Sequence, residues 1–322
     1  MNDPNVGISD TRGSPGRALP EQPSLRVQTV LFNHDARDVT RFVHSICAAG
    51  TVARRRGALG RMVLALGDSS PAPLLDRAME NEHRRVITAS GFDSYEYLSF
   101  GENLGSAGGH NVFLGRQDMD LTLVINPDAY ASPELIVELV SGIRDRDVGI
   151  VEARQAPMEH PKEFDRTTGD TAWASGACFL VRREVLCEID GFDSHTFFLY
   201  CDDVDFSWRA RLAGFRVVYH PPAVVYHDKR LDRDGQMIPA ASEVYFSAEA
   251  SLMMAWKYSR PDLADQWSRA LLATTHATHQ RAVFEFRRRM DEHTLPTPLD
   301  PEGTVADFVG DTYGPHRFKY DD

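Results

Sequence analysis

Short apolar runs alternate with helix-like segments through the first half of the chain, and this alternation restricts the fold more than any other feature. The runs VQTVLF, RMVLAL, YEYLSF and LTLVIN are each followed by a segment with helical spacing, and VGIVEA comes next. Continuous apolar runs are typical of buried parallel strands, and helices supply the connections between such strands. The pattern predicts an α/β fold with a mostly parallel, Rossmann-like sheet flanked by helices.

The two ends of the chain differ from this pattern. Residues 1–24 are rich in Pro, Gly, Ser and charge, which predicts a disordered tail. We expect one main domain over residues 25–235, in which FRVVYH and AVVYHD form two short strands. Residues 236–322 should be mostly helical, with one long helix over ADQWSRALLATTHATHQRAVFEFRRRM.

Composition excludes several classes of protein. With 322 residues, of which 42% are hydrophobic, the chain can bury a full core, and its formal charge of −12 disfavours nucleic-acid binding. The four cysteines have no CxxC spacing, which argues against zinc and against a disulfide framework. No apolar run approaches the roughly 20 residues of a membrane span. We expect a cytoplasmic protein, with peripheral attachment at the inner membrane face as the alternative.

The glycine-rich segment ENLGSAGGHNVFLG, residues 102–115, raises the question of phosphate binding. A dinucleotide fingerprint requires GxGxxG directly after the first strand, with an acidic residue about 20 positions later. This segment follows the third apolar run and has another spacing, so the dinucleotide interpretation fails. By itself the segment favours a tight turn from strand to helix over a ligand site.

The order of the motifs along the chain resembles the family 2 glycosyltransferases, particularly the bacterial rhamnosyl- and galactofuranosyltransferases. The glycine-rich segment is similar to the family's NxGxxGGxNxG. Downstream, NPD, SGA, RRE, DGFDSHTFFLYCDDVDFSWR and a strand ending in YH follow in the family's order. The resemblance covers about residues 26 to 230.

The resemblance implies a GT-A fold and an inverting, metal-assisted transfer of a sugar from a nucleotide-diphosphate donor, dTDP- or UDP-linked, to an acceptor hydroxyl. It also implies a divalent cation, Mn²⁺ or Mg²⁺, and a saccharide, lipid-linked or small-molecule acceptor. The C-terminal helices would then either bind the acceptor or make a homodimer contact. If they bind the acceptor, four of their residues could line an apolar groove, although the same residues are also typical of plain core: Met253, Met254, Trp256 and Tyr258.

Asp128 and His227 are the candidate metal ligands. Asp128 follows an apolar strand, where a carboxylate can bind a hard cation or can simply belong to an NPDA turn. By resemblance, Asp128 is the family's metal-binding aspartate, and Asn126 replaces the first aspartate of Asp-x-Asp and removes one charge. His227 ends an apolar strand, and from its position alone we expect a surface or hydrogen-bonded histidine. By resemblance, His227 corresponds to a metal ligand of the galactofuranosyltransferases.

Three carboxylates occur within four residues at Asp202, Asp203 and Asp205, at the start of an apparent helix. Acidic residues are favoured there as caps, but such a cluster repels itself unless a cation, an arginine or a reaction uses it. By resemblance, Asp203 is the general base and Asp202 is its acidic neighbour. Arg209 either pairs with Asp205 within the helix or reaches the diphosphate, and we favour the pair.

The remaining predicted substrate contacts lie in loops that follow the strands. Each has a simpler interpretation as a turn or, for the tryptophan, as core packing. The predicted contacts to the donor or acceptor are Asn33, Asp68, Asn103, Gly108, Gly109, Asn111, Asn126, Trp173, Ser175, Gly176, Asp205 and Arg209.

Two other functions compete with a glycosyltransferase. A sugar-1-phosphate nucleotidyltransferase needs a basic glycine-rich loop near the first strand, and LFNHDARD offers none. A catalytically silent binding protein of the same fold remains an alternative interpretation, because Asn126 stands in place of an aspartate.

Overall fold

The computed structural model describes residues 16–116, 118–159, 163–228, 233 and 241–309. The strands of these residues are β1 Leu25–Leu31, β2 Met62–Asp68, β3 Ser94–Ser99, β4 Leu121–Ile125, β5 Ala129–Ala131, β6 Val148–Ala156, β7 Cys178–Arg182 and β8 Arg216–His227. The helices are α1 Ala36–Arg55, α2 Arg77–Ala89, α3 Gly105–Leu114, α4 Leu135–Gly142, α5 Arg183–Ile189, α6 Asp202–Leu212, α7 Ala241–Lys257, α8 Pro261–Ala273 and α9 Ala277–Asp291.

The strands form one sheet in the order β3-β2-β1-β4-β7-β6-β8-β5. Strands β3, β2, β1 and β4 are mutually parallel, and β6 is parallel to β8. Strand β7 runs antiparallel to both β4 and β6, and β5 runs antiparallel to β8. The predicted α/β fold with a mostly parallel sheet is confirmed.

Side chains alternate between two cores, one on each face of the sheet. Leu123 and Ile125 of β4 pack with α1 and α4, whereas Val124 packs on the opposite side with Phe206 of α6. Successive residues of a strand point to opposite faces, so a strand buried on both sides must be apolar throughout. This explains why the central strands read as unbroken apolar runs.

The glycine-rich segment is helical rather than a loop, since α3 occupies Gly105–Leu114. At Gly105, φ is +69° and a Cβ would lie 2.2 Å from the carbonyl oxygen of Phe198. At Gly109, a Cβ would lie 2.7 Å from Cγ1 of Val30 on β1. These glycines therefore permit the close approach of α3 to its neighbours.

The last strand differs from the prediction of two short strands. Strand β8 is continuous through Pro221 and Pro222, and its register against β6 shifts there, so that Ala153 pairs with His220 and Arg154 with Val224. Prolines cannot donate to a strand ladder, and a bulge accommodates them without ending the strand.

The C-terminal helices build a third core around Trp208, Met253 and Met254. The long helix predicted over residues 264–290 is interrupted, because Thr274 is extended with ψ of 154° and its hydroxyl donates to the carbonyl of Leu271. No helix of the described residues is long and apolar enough to cross a membrane.

Part of the segment predicted as an N-terminal tail contacts the main domain. Arg182 donates to the carbonyl of Arg17, and Arg144 donates to those of Pro20 and Glu21. Residues 1–15, and the predicted boundary at residues 235–236, lie outside the described residues.

Candidate active site

A cleft of about 480 Å³ opens where β1 and β4 end and α6 begins. In open α/β sheets, ligands bind at this carboxyl edge of the strands. Eight of the residues predicted to contact substrate or metal, or to act in catalysis, line this cleft: Asn103, Asn126, Asp128, Ser175, Gly176, Asp202, Asp203 and His227.

Asp128 and His227 meet at one side of the cleft. Asp128 lies in the turn after β4, and His227 is the last residue of β8, which pairs with β5 so that Ala129 stands opposite His227. The His227 Nε2 atom is 3.3 Å from Oδ1 of Asp128. Burial opposes ionisation of Asp128, but the hydrogen bond and charge of His227 outweigh burial and lower the pKa of Asp128.

This pair fits a divalent cation by its chemistry. The other ring nitrogen of His227, Nδ1, is 2.8 Å from Oε1 of the buried Gln155. A carboxylate oxygen beside an imidazole nitrogen is a donor set that suits Mn²⁺. Within the described part of the chain, no three or more His, Cys, Asp or Glu side chains form a group that could hold a metal. The protein therefore offers two candidate ligands.

Asp202 and Asp203 stand at the first turn of α6, opposite the glycine-rich helix. The chain enters α6 through left-handed conformations at Tyr200 and Cys201, with φ of 66° and 55°. Asp203 accepts the backbone N–H of Gly176 at 2.7 Å and that of Val204 at 2.9 Å, through different oxygens. These hydrogen bonds fix the Asp203 carboxylate in the cleft wall.

Asp202 is the carboxyl group whose ionisation is most strongly altered. Its burial first, and then the charge of Asp203, raise the pKa of Asp202 to about 7, while a hydrogen bond with Ser106 acts in the opposite direction. Asp202 is therefore largely protonated below neutral pH, and its negative charge appears as pH rises through about 7.

The glycine-rich segment lines the cleft mostly through residues other than those predicted, namely Gly105, Ser106 and His110. Asn103 lines it, but Gly108 and Gly109 lie within α3 and outside the lining. The Asn111 side chain donates to the Phe192 carbonyl at 2.8 Å and accepts the Phe192 N–H at 2.9 Å. The nitrogen and the oxygen of the Asn111 side-chain amide therefore both link α3 to the loop after α5, so the role of Asn111 is structural.

Asn33 and Asp68 also lie outside the cleft lining. Asn33 is exposed, and its N–H donates to the Ser70 hydroxyl at 2.8 Å. Asp68 is fully buried and accepts the Ser70 N–H at 2.9 Å and the Tyr97 hydroxyl at 2.5 Å. The carboxylate of Asp68 thus organises the loop after β2.

The neighbouring His34 does line the cleft. Its Nδ1 accepts the N–H of Phe32 at 3.0 Å, and since a backbone N–H can only donate, the proton of the neutral ring must lie on Nε2. Burial lowers the pKa of His34 despite the opposing charge of Asp128. His34 therefore presents a neutral N–H donor near Asp128.

Asp205 and Arg209 belong to a buried ion cluster beneath the cleft. Arg209 Nε is 2.8 Å from Asp205, as the predicted intrahelical pair requires. Lys257 of α7 lies 2.6 Å from Asp205 and 2.7 Å from Asp193. Two cations and two anions thus join α6 to α7. Trp173, another predicted substrate contact, does not line the cleft; it is buried and lines a separate cavity of about 620 Å³.

One wall of the cleft is aromatic. Phe198 and Phe246 stack with ring centroids 5.0 Å apart, and both line the cleft. Of the groove predicted from α7, Met253, Met254 and Tyr258 are buried core instead, because they face α6 and α8. The first turns of α7 reach the cleft, and no local pattern in the sequence distinguishes those turns from the rest of the helix.

The fold is of the GT-A type, as comparison with solved structures shows. The structure of GalNAc-T7 with UDP, GalNAc and Mn²⁺ matches with a TM-score of 0.56 at 12% identity, over 86% of this chain and 55% of that chain. The mannosyltransferase PcManGT from Pyrobaculum calidifontis, in complex with GDP-Man and Mn²⁺, matches with a TM-score of 0.51 at 14% identity, over 88% of this chain and 87% of that chain.

The sequence of the second half resembles glycosyltransferases of family 2. Residues 161–259 match the family model described as "Glycosyltransferase like family 2". The N-acetylglucosaminyl-diphospho-decaprenol L-rhamnosyltransferase of Mycobacterium tuberculosis is 40% identical over 76 residues, which are 24% of this chain and 22% of that protein. The alignment thus spans less than a quarter of that relative's length. The predicted resemblance is confirmed over the segment that contains Gly176, Asp203 and His227.

Proposed function

We propose that this protein is an inverting glycosyltransferase that moves a sugar from a nucleoside diphosphate donor to an acceptor hydroxyl. One observation carries the proposal: Asp128 and His227 share a single cleft with Asp202 and Asp203, although these residues come from distant parts of the chain. The GT-A fold and the family resemblance support the same reaction.

In this proposal, Asp128 and His227 hold a divalent cation, Mn²⁺ or Mg²⁺. Such an ion stabilises the negative charge of a departing nucleoside diphosphate. Asp203 accepts the proton of the acceptor hydroxyl, whose oxygen bonds to the anomeric carbon as the bond to the diphosphate breaks. The Gly176 and Val204 N–H groups hold Asp203 in place for this transfer.

For the donor, the name of the M. tuberculosis relative favours an L-rhamnosyl group. The family resemblance favours dTDP as its carrier, with a UDP-sugar as the alternative. The name of the same relative also favours a diphospho-decaprenol-linked saccharide as the acceptor. Phe198 and Phe246 offer a half-buried apolar wall against which an acceptor sugar could pack.

The reaction is tested by mixing the protein with Mn²⁺, dTDP-rhamnose or a UDP-sugar, and candidate acceptors, and by measuring nucleoside diphosphate release. We expect release that depends on both the cation and the acceptor. Nucleotide binding without release under any of these conditions would favour the silent binding protein, and pyrophosphate release from a nucleoside triphosphate and a sugar phosphate would favour the nucleotidyltransferase.

Asp202→Asn separates the roles of the two carboxyls through the pH dependence of kcat. Since protonated Asp202 is neutral, the asparagine variant should match the wild type at about pH 6. As pH rises through about 7, Asp202 ionises and adds a negative charge that favours removal of the acceptor's proton in the cleft, so only the wild-type rate should climb. A variant that is inactive at every pH would instead identify Asp202 as the base.

A further inference from the structure

The imidazole of His227 is held between two side chains on opposite sides of the ring. Its Nε2 faces Asp128 at 3.3 Å, and its Nδ1 faces the amide oxygen of Gln155 at 2.8 Å. Gln155 lies on β6 and is only 3% exposed. Water therefore has little access to replace this contact.

Gln155 is itself fixed by its surroundings. Its backbone N–H donates to Oε2 of Glu159 at 3.2 Å, and the Tyr219 hydroxyl donates to both oxygens of the same carboxylate, at 2.7 and 2.9 Å. Strand pairing places Gln155 beside Val225 of β8, two residues before His227. These contacts fix the backbone of Gln155 and therefore the position of its side-chain amide relative to the His227 imidazole.

An amide oxygen accepts hydrogen bonds and cannot donate them, so a proton on Nδ1 satisfies both groups. With Nδ1 donating to Gln155, Nε2 is the ring nitrogen that faces Asp128 and can bind a cation beside it. Histidines that bind metals commonly donate their second ring N–H to such a partner, which sets the orientation of the ring.

We propose that Gln155 is a positioning residue that holds His227 with Nδ1–H toward Gln155 and Nε2 toward Asp128, where Nε2 can bind a divalent cation. The inference rests on the metal role of Asp128 and His227 in the proposed function. It extends the site to β6, a strand to which neither the motifs nor the family resemblance assigns a role.

Manganese binding tests the inference without requiring turnover. Free Mn²⁺ is measured by electron paramagnetic resonance in the presence of UDP and, in parallel, dTDP. We expect Gln155→Leu to weaken Mn²⁺ binding about 10- to 100-fold. Gln155→Glu should retain binding, because its carboxylate also accepts from Nδ1. In a His227→Ala background, Gln155→Leu should cause no further loss, and an equal loss there would overturn the inference.

Gln28→Leu is the matched control. Gln28 is a fully buried glutamine on β1 whose Nε2 lies 3.0 Å from Nδ1 of His110 and 3.2 Å from the His110 carbonyl oxygen, so its side chain contacts α3 and not His227. Its loss should disturb the fold to a similar degree, and Mn²⁺ affinity should stay at the wild-type value. Equal weakening by both glutamine variants would mean a general structural effect and would overturn the positioning role.

A metal-free measurement distinguishes this inference from the proposed function. Long-range ¹H–¹⁵N correlation spectra identify which ring nitrogen of His227 carries the proton. We expect Nδ1 of His227 to carry a proton in the wild type and to carry it only in part in Gln155→Leu. A wild-type ring without a proton on Nδ1 would overturn the inference, whereas absence of Mn²⁺ binding with Nδ1 protonated would count against the metal role alone.

Discussion

Asp203→Asn should lower kcat by about 10²- to 10⁴-fold, the usual range for removal of a general base, and should leave nucleotide affinity close to the wild-type value. Asparagine has nearly the same shape but cannot accept the acceptor's proton at neutral pH. The measurement is steady-state product formation, together with titration of the nucleoside diphosphate and Mn²⁺.

Asp202→Asn at about pH 6 is the control, since it changes the adjacent carboxyl in the same turn of α6. Parallel losses of kcat and nucleotide affinity in Asp203→Asn would indicate a damaged cleft instead of a missing base. A loss of kcat smaller than about tenfold would remove Asp203 from proton transfer.

Lys257→Met should lower the free energy of unfolding by about 3–5 kcal/mol, because it removes the cation from Asp193 and leaves the buried Asp205 with Arg209 alone. Lys257 is 5% exposed and lies within 2.7 Å of both Asp193 and Asp205, and Asp205 has no exposed side-chain surface. Burial opposes ionisation of Asp193, but Lys257 outweighs it and lowers the pKa of Asp193. Urea denaturation followed by circular dichroism measures the loss.

Arg269→Ala is the comparison for that experiment. The ion pair between Arg269 and Asp265, 2.9 Å apart, is 70% and 73% exposed, and pairs of this kind contribute about 0.3–0.5 kcal/mol. If Lys257→Met lowered the free energy of unfolding no more than Arg269→Ala does, the buried ion cluster would not be what joins α6 to α7.

Local sequence patterns predicted the strands and helices well because burial on both sheet faces makes a strand uniformly apolar. The same reasoning failed where tertiary contacts override a local signal. The glycines of residues 105–109 suggest a loop, but close packing against Phe198 and Val30 makes them part of a helix. Two prolines suggest a break between strands, and a bulge against β6 carries β8 through them.

The candidate site was predictable where a motif places a side chain at a strand end or a helix start. Asp128, Asp203 and His227 all line the cleft. Asp68 and Asn111 also follow strands in the sequence, but their polar atoms are satisfied by nearby backbone groups and they do not face the cleft. The contribution of such a residue depends on which partners surround it, and spacing does not specify those partners.

The sequence by itself determined the α/β architecture, the order of the motifs and the carboxylates and imidazole available for chemistry, because these follow from periodicity and residue type. Only the tertiary structure decided which side chains meet. The contact between Gln155 and His227, the aromatic wall of Phe198 and Phe246 and the altered ionisation of Asp202 each depend on residues distant in sequence. Distances and burial arise when the sheet and helices pack, and no single segment encodes them.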